Sequence, residues 1–198
     1  MALEGDGDAP ALERASIVLM TVKTANRYKP GYPPDASHIL VDTGVRGARE
    51  IRTFRLDGAY RSGQDGAREY LVSLDLAPGS YRLREIFGSS GAFPIHGRFV
   101  VTVFLPFTVE PRTVAYLGRL EATVRERKDD RQFRAGPPVP IIDQAVTGFA
   151  SGTFEVRISD GSDEDLAAFR ERYPGLRGYA IRKTILPAWT QPALKDLE

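Results

Sequence analysis

His38 and His96 are the two histidines, and histidine alone changes charge near neutral pH without a special environment, so any acid–base chemistry starts with them. Each stands in or beside a strand-like stretch, and neither has a second histidine or a cysteine at metal-ligand spacing. A hydrolytic centre would need one of them to meet an aspartate such as Asp42 or Asp57 at about 3 Å. No Gly-x-Ser-x-Gly elbow, phosphate-binding loop, dinucleotide fingerprint or His-Glu-x-x-His occurs. Ser89 and Ser90, framed by Gly88 and Gly91, read as a flexible polar loop. The expectation is a protein that is not an enzyme, with no catalytic residue, metal or cofactor assigned.

Three other clusters carry charge or aromatic rings. Asp160, Asp163, Glu164 and Asp165 supply hard oxygen donors, yet they lack the alternate-ligand spacing, central glycine and distal glutamate of a calcium loop. Helix capping explains them better, with Ser162 at the cap. Residues 125–134 interleave five basic with three acidic side chains, which fits a solvated loop or a contact surface rather than the uniform basic stripe of a nucleic-acid binder. The segment 26–35 holds Tyr28, Tyr32 and three prolines. Its tyrosines can pack back on a sheet, which their type favours, or form a stiff rim for a sugar, peptide or aromatic ligand. Arg27, Tyr28 and Tyr32 are the ligand-binding candidates.

These residues need a frame, and the strongest pattern in the chain has a period of two. Val114, Tyr116, Gly118, Leu120, Ala122 and Val124 alternate with largely polar residues; so do Tyr70, Val72, Leu74 and Leu76, and so do Phe154, Val156 and Ile158. Further strands are expected over 16–23, 37–41, 50–56, 80–87, 99–109 and 178–186. Ala77-Pro78-Gly79-Ser80 suits a hairpin turn, and a second reversal is expected at Glu110-Pro111-Arg112. Pro106 cannot donate to a ladder, so it belongs at an edge, a bulge or a break. One helix is expected near 163–173, with Leu166, Phe169 and Tyr173 on its docking face. The fold class is therefore mainly β: an antiparallel sandwich, Ig-like or transthyretin-like, of about nine strands with one short C-terminal helix. A single domain is expected over 15–186, with 125–147 an excursion, 1–14 a disordered or cloning-derived tail, and 187–198 an irregular tail.

Composition narrows the classes. The chain has 198 residues, 42% of them hydrophobic, which is far from a disordered composition. With 27 basic and 26 acidic residues the net charge is +1, so charge points to no nucleic-acid partner. No apolar run approaches the ~18 residues that cross a bilayer. There is no cysteine, which removes disulfides, thiol catalysis and zinc-thiolate sites together.

The run Leu76-Ala77-Pro78-Gly79-Ser80-Tyr81-Arg82-Leu83 resembles the hairpin of bacterial envelope lipoproteins and of transthyretin-like or carboxypeptidase-regulatory-like β-sandwiches. Phe107-Thr108-Val109-Glu110-Pro111, then Val114-Ala115-Tyr116-Leu117-Gly118, is similar to the strand, turn and strand of an uncharacterised lipoprotein-type family, and 165–176 looks like its closing helix. The likeness covers roughly residues 68–176. It departs at Glu110-Pro111-Arg112, where glycine would be expected, and in the missing lipid-accepting cysteine. The resemblance implies a non-enzymatic exported binding or protein-interaction module at the cell envelope, in the periplasm or on the outer membrane, with the membrane reached only through a removed lipid anchor. An envelope protein or a small ligand would be the partner. A cytoplasmic location, a carrier of a small apolar or aromatic ligand, and a hydrolase built on the histidines are the alternatives.

Overall fold

A computed structural model describes residues 12, 15–43, 50–92, 94–137 and 142–193, and these form two facing sheets that do not close into a barrel. The first sheet is built on β1 (Ser16–Asn26), flanked by β5 (Arg68–Leu76) and β8 (Val114–Glu126). The two-residue β4 (Arg61–Ser62) lies beyond β5, while β9 (Gly152–Ser159) and the short β10 (Ile181–Lys183) share the far edge of β8. The second sheet runs β3 (Ile51–Arg55), β2 (Asp35–Thr43), β6 (Gly79–Ala92), β7 (Ile95–Val109). All but one of the expected 1–14 tail positions lie outside the described residues; Leu12 packs against the fold.

The mainly β sandwich agrees with the sequence reading, and the pairing adds something to it. β8 runs parallel to β1, and β10 parallel to β8. The reason is the reversal at 110–113. It turns the chain as expected and carries β7 of the second sheet into β8 of the first; the turn at 77–80, expected to close a hairpin, also crosses between layers, from β5 of the first sheet to β6 of the second. Ser16 fastens this crossing: its hydroxyl donates to the Glu110 carbonyl at 2.6 Å and accepts the Thr113 N–H at 3.2 Å. β1 is thus a central strand, and it reads Ile-Val-Leu-Met because both its faces are buried.

Between the sheets lie Val18, Met20 and Val22 of β1, Val72 and Leu74 of β5, and Val101, Val103 and Leu105 of β7. A second apolar cluster sits on the outer side of the first sheet, where Ile17, Leu19, Leu71, Val114 and Tyr116 are covered by α2 (Ser162–Arg172) and the 3₁₀ turn Pro174–Gly178 through Phe169, Tyr173 and Leu176. Burying each large side chain here contributes about 1.5–3 kcal/mol.

The even-numbered residues of β8 do not share one face, contrary to the strict alternation in the sequence. Val114 and Tyr116 point to the helix, whereas Leu120, Ala122 and Val124 point into the sandwich. Gly118 causes the switch: its φ is +100°, and the register with β1 slips between Leu19 and Thr21. A bulge inserts one residue and exchanges the faces.

Two other expectations need adjusting. Residues 178–186 contribute only β10, because the 3₁₀ turn occupies 174–178 and the chain then runs irregularly along the open side of the sandwich. There Thr184 and Leu186 donate backbone N–H groups to Tyr116 and Leu117, Leu186 is buried, and the Trp189 indole donates to the Val103 carbonyl at 3.0 Å. The irregular tail therefore belongs to the folded body as far as its described residues reach. The 125–147 excursion covers the β7 edge: the Gln144 side chain of α1 (Ile142–Val146) accepts from the Arg98 N–H and donates to the Arg98 carbonyl, and Val100 donates to Ala135. Pro106 sits on that edge strand, two residues from the irregular Phe104 (φ +55°).

Candidate functional site

α2 covers only half of the outer face of the first sheet. Beyond it the same strands present polar side chains, and register sets their order. Lys23 of β1 lies between Glu69 of β5 and Glu121 of β8, and Arg157 of β9 stands beyond Glu121. Across four strands the row reads minus, plus, minus, plus. The Lys23 ammonium is 3.6 Å from Glu69 and 3.7 Å from Glu121. One step further along, Glu155 accepts from Arg125 at 3.0 Å and also from Arg157, and these guanidiniums hold its carboxylate below the usual range. Asp65 and Arg27 close the end of a trough of about 100 Å³. Its lining carries four cations, Lys23, Arg27, Arg125 and Arg157, against three anions, Asp65, Glu121 and Glu155. Such a surface discriminates by pattern of sign, since its net field is small.

A buried polar network separates the open half from the covered one. Asp165, in the first turn of α2, is 2% exposed and accepts from the Tyr116 hydroxyl and the Arg119 guanidinium. Burial first, and this carboxylate second, push the Tyr116 phenol up; the same carboxylate raises Arg119. Arg119 also lies 3.6 Å from Glu69 and 3.2 Å from Glu164, and Arg61 lies 2.9 Å from Glu164. The carboxylates at the helix start therefore dock the helix on β8 and β4, a role beyond capping. The cap itself sits one residue earlier than expected. Gly161 is the N-cap, and Asp160 accepts the Ser162 N–H at 2.9 Å.

The three ligand-binding candidates do not converge. Arg27 is exposed and lines the trough. Tyr28 packs against the main core, crossed by the Lys29 ammonium 5.2 Å from its ring centre and abutting Gly148, whose φ of +82° lets the backbone pass. Tyr32 is half-buried and donates its N–H to the Lys29 carbonyl. Asn26 holds the loop: its amide donates to the Tyr32 and Thr147 carbonyls, and its oxygen accepts from Tyr28 and Lys29 N–H groups. Packing is the role the geometry gives Tyr28.

The histidines also stay apart. His38 stacks on Phe87 at 5.0 Å, and its Nδ1 lies 2.9 Å from the Ser37 hydroxyl. His96 stands at the start of β7, two strands across and four residues along, on the order of 15 Å away by strand geometry. Its backbone N–H, not its ring, meets a carboxylate, that of Asp143. Asp42 is buried with Arg84 at 3.7 Å, and Asp57 lies in the β3–β4 connection. No group of three metal-ligating side chains occurs among the described residues.

A second concavity, of about 360 Å³, opens between the β3–β4 connection and the end of α2. Leu71 and Tyr173 are buried residues of its lining; Tyr60 and Ala59 are half-buried, and Asp57 and Arg172 are exposed at its sides. Sequence reasoning missed it, because its parts are single residues about 115 positions apart. Comparison with protein-family models, with curated proteins and with solved structures finds no match to this chain.

Proposed function

We propose that this chain is a non-enzymatic interaction module and that the open, sign-alternating half of the first sheet's outer face grips a protein partner. One observation carries the reading: a single sheet face is divided at Arg119 and Asp165 into an apolar half, sealed by α2, and a charged half left uncovered. Exposed ion pairs of this kind contribute about 0–1 kcal/mol each to stability, so the pattern is poorly explained as a device for folding. Rows of alternating charge select a partner by complementarity and penalise a wrong register. The separation of His38 from His96 counts against a hydrolase. The sequence resemblance over residues 68–176 supports export and a place at the bacterial cell envelope, which fractionation of cells expressing the native gene tests directly.

The surface is tested by site-specific photo-cross-linking in the cells of origin. A cross-linker at Thr123, inside the trough, is expected to give an adduct of defined mass, whereas one at Thr108, on the other sheet, gives none. Equal labelling from both positions would remove the trough from consideration.

A further inference from the structure

The concavity beside α2 has a composition that the proposed protein-binding surface does not use. Its first wall is the connection 56–60, pinned at both ends: Leu56 donates its N–H to Ser37 of the second sheet, and Tyr60 donates to Glu69 of the first, at 2.7 Å. Its second wall is the end of α2, where the Tyr173 N–H closes on the Phe169 carbonyl and the Tyr173 ring lies 6.3 Å from that of Phe169. Both walls are held by the fold before any ligand arrives.

The charges of this concavity set its chemistry. Asp57 comes from one wall and Arg172 from the other, and among the described residues neither is in a salt bridge. Lys23, Glu69, Arg119 and Glu164 of the same sheet face and helix are, by contrast, matched across strands or to the helix. Leu71, Tyr60 and Tyr173 share the lining with them, and the Arg172 guanidinium is 5.7 Å from the Tyr173 ring centre. Burial and the nearby Asp57 push the Tyr173 hydroxyl up. Gly58 leaves open space where a Cβ would project. A carboxylate and a guanidinium on facing walls, with an apolar and aromatic floor, match a small zwitterion with an apolar body, its ammonium toward Asp57 and its carboxylate toward Arg172.

We infer that this concavity is a binding site for a small zwitterion with an apolar or aromatic side chain, of the size of an amino acid or a dipeptide. It is independent of the trough, so either can fail alone.

The test is calorimetric titration of the full chain with L-phenylalanine and with L-leucyl-L-phenylalanine, alongside phenethylamine and 3-phenylpropionate, which each lack one charge. Saturable binding is expected for at least one zwitterion with a Kd on the order of 0.1–1 mM, which is what about a dozen ligand atoms at modest efficiency yield. Phenethylamine and 3-phenylpropionate should bind at least about tenfold more weakly, as should the zwitterion to Asp57→Asn and to Arg172→Gln. Both substitutions are at exposed positions, and unchanged melting temperatures would show intact folding. No saturable binding of either zwitterion up to ~10 mM, or binding unaltered in both variants, would overturn the assignment.

Discussion

Asp165 shows how far one side chain's role lies from its local sequence. Its position in the first turn of a helix is legible, and a carboxylate there suits the helix dipole. Its partners are not legible, because Tyr116 and Arg119 lie 49 and 46 residues away and only sheet packing brings them to it. Asp165→Asn keeps the volume but removes the charge facing Arg119, and it is expected to lower unfolding free energy by roughly 2–4 kcal/mol, measured by urea denaturation. Tyr116→Phe, which leaves the Asp165–Arg119 pair, should cost less, about 1–2 kcal/mol. Tyr70 makes a comparable contact: its hydroxyl donates to Asp35 at 2.7 Å and accepts the Ala36 N–H, and burial with that carboxylate pushes it up to about 12. A phenol raised above its unfolded value of about 10 favours the native state fully below that pH, and the contribution fades as pH rises toward 12. Stability should therefore fall across this alkaline window by on the order of 2 kcal/mol for this residue, with a shallower slope in Tyr70→Phe.

At the scale of elements, the period of two identifies strands well, since Tyr70, Val72, Leu74 and Leu76 do lie toward the sandwich core. It fails where one glycine resets the phase. Nothing in the residues around Gly118 separates a bulge from an ordinary strand glycine, because the bulge answers the need of β8 to meet the helix with one half and the core with the other. A Cβ at Gly118 would lie 2.9 Å from the Ser159 carbonyl oxygen and 3.1 Å from Ile185, at a φ that side chains avoid. Gly118→Val is expected to destabilise by roughly 2–4 kcal/mol in thermal or urea unfolding. The excursion 125–147 is legible as an excursion, but its work is hidden. Phe149, just beyond it, and Ala135 are fully buried, yet neither belongs to an alternating or helical run, so no period marks them.

For the whole molecule, sandwich architecture follows from many short alternating segments, whereas the assignment of strands to sheets does not. The turn at 110–113 has ordinary reversal chemistry whether it joins neighbours or crosses between layers. Its crossing makes β8 parallel to β1, places the rows of Lys23, Glu121 and Arg157 side by side, and so creates the charged half of the face. Function on this account is a consequence of topology. The strands must run where they do for one sheet face to hold a helix at one end and leave the charged row, the proposed partner surface, open at the other.

The most direct measurement is the yield of the Thr123 cross-link in cells carrying Arg125→Glu and Arg157→Glu together, compared with the unaltered protein at matched expression and melting temperature. Reversing two charges around Glu155 should abolish the adduct, and raising ionic strength in the extract should weaken the unaltered complex in parallel. An adduct formed in equal yield by both proteins would contradict recognition through the sign pattern of this face.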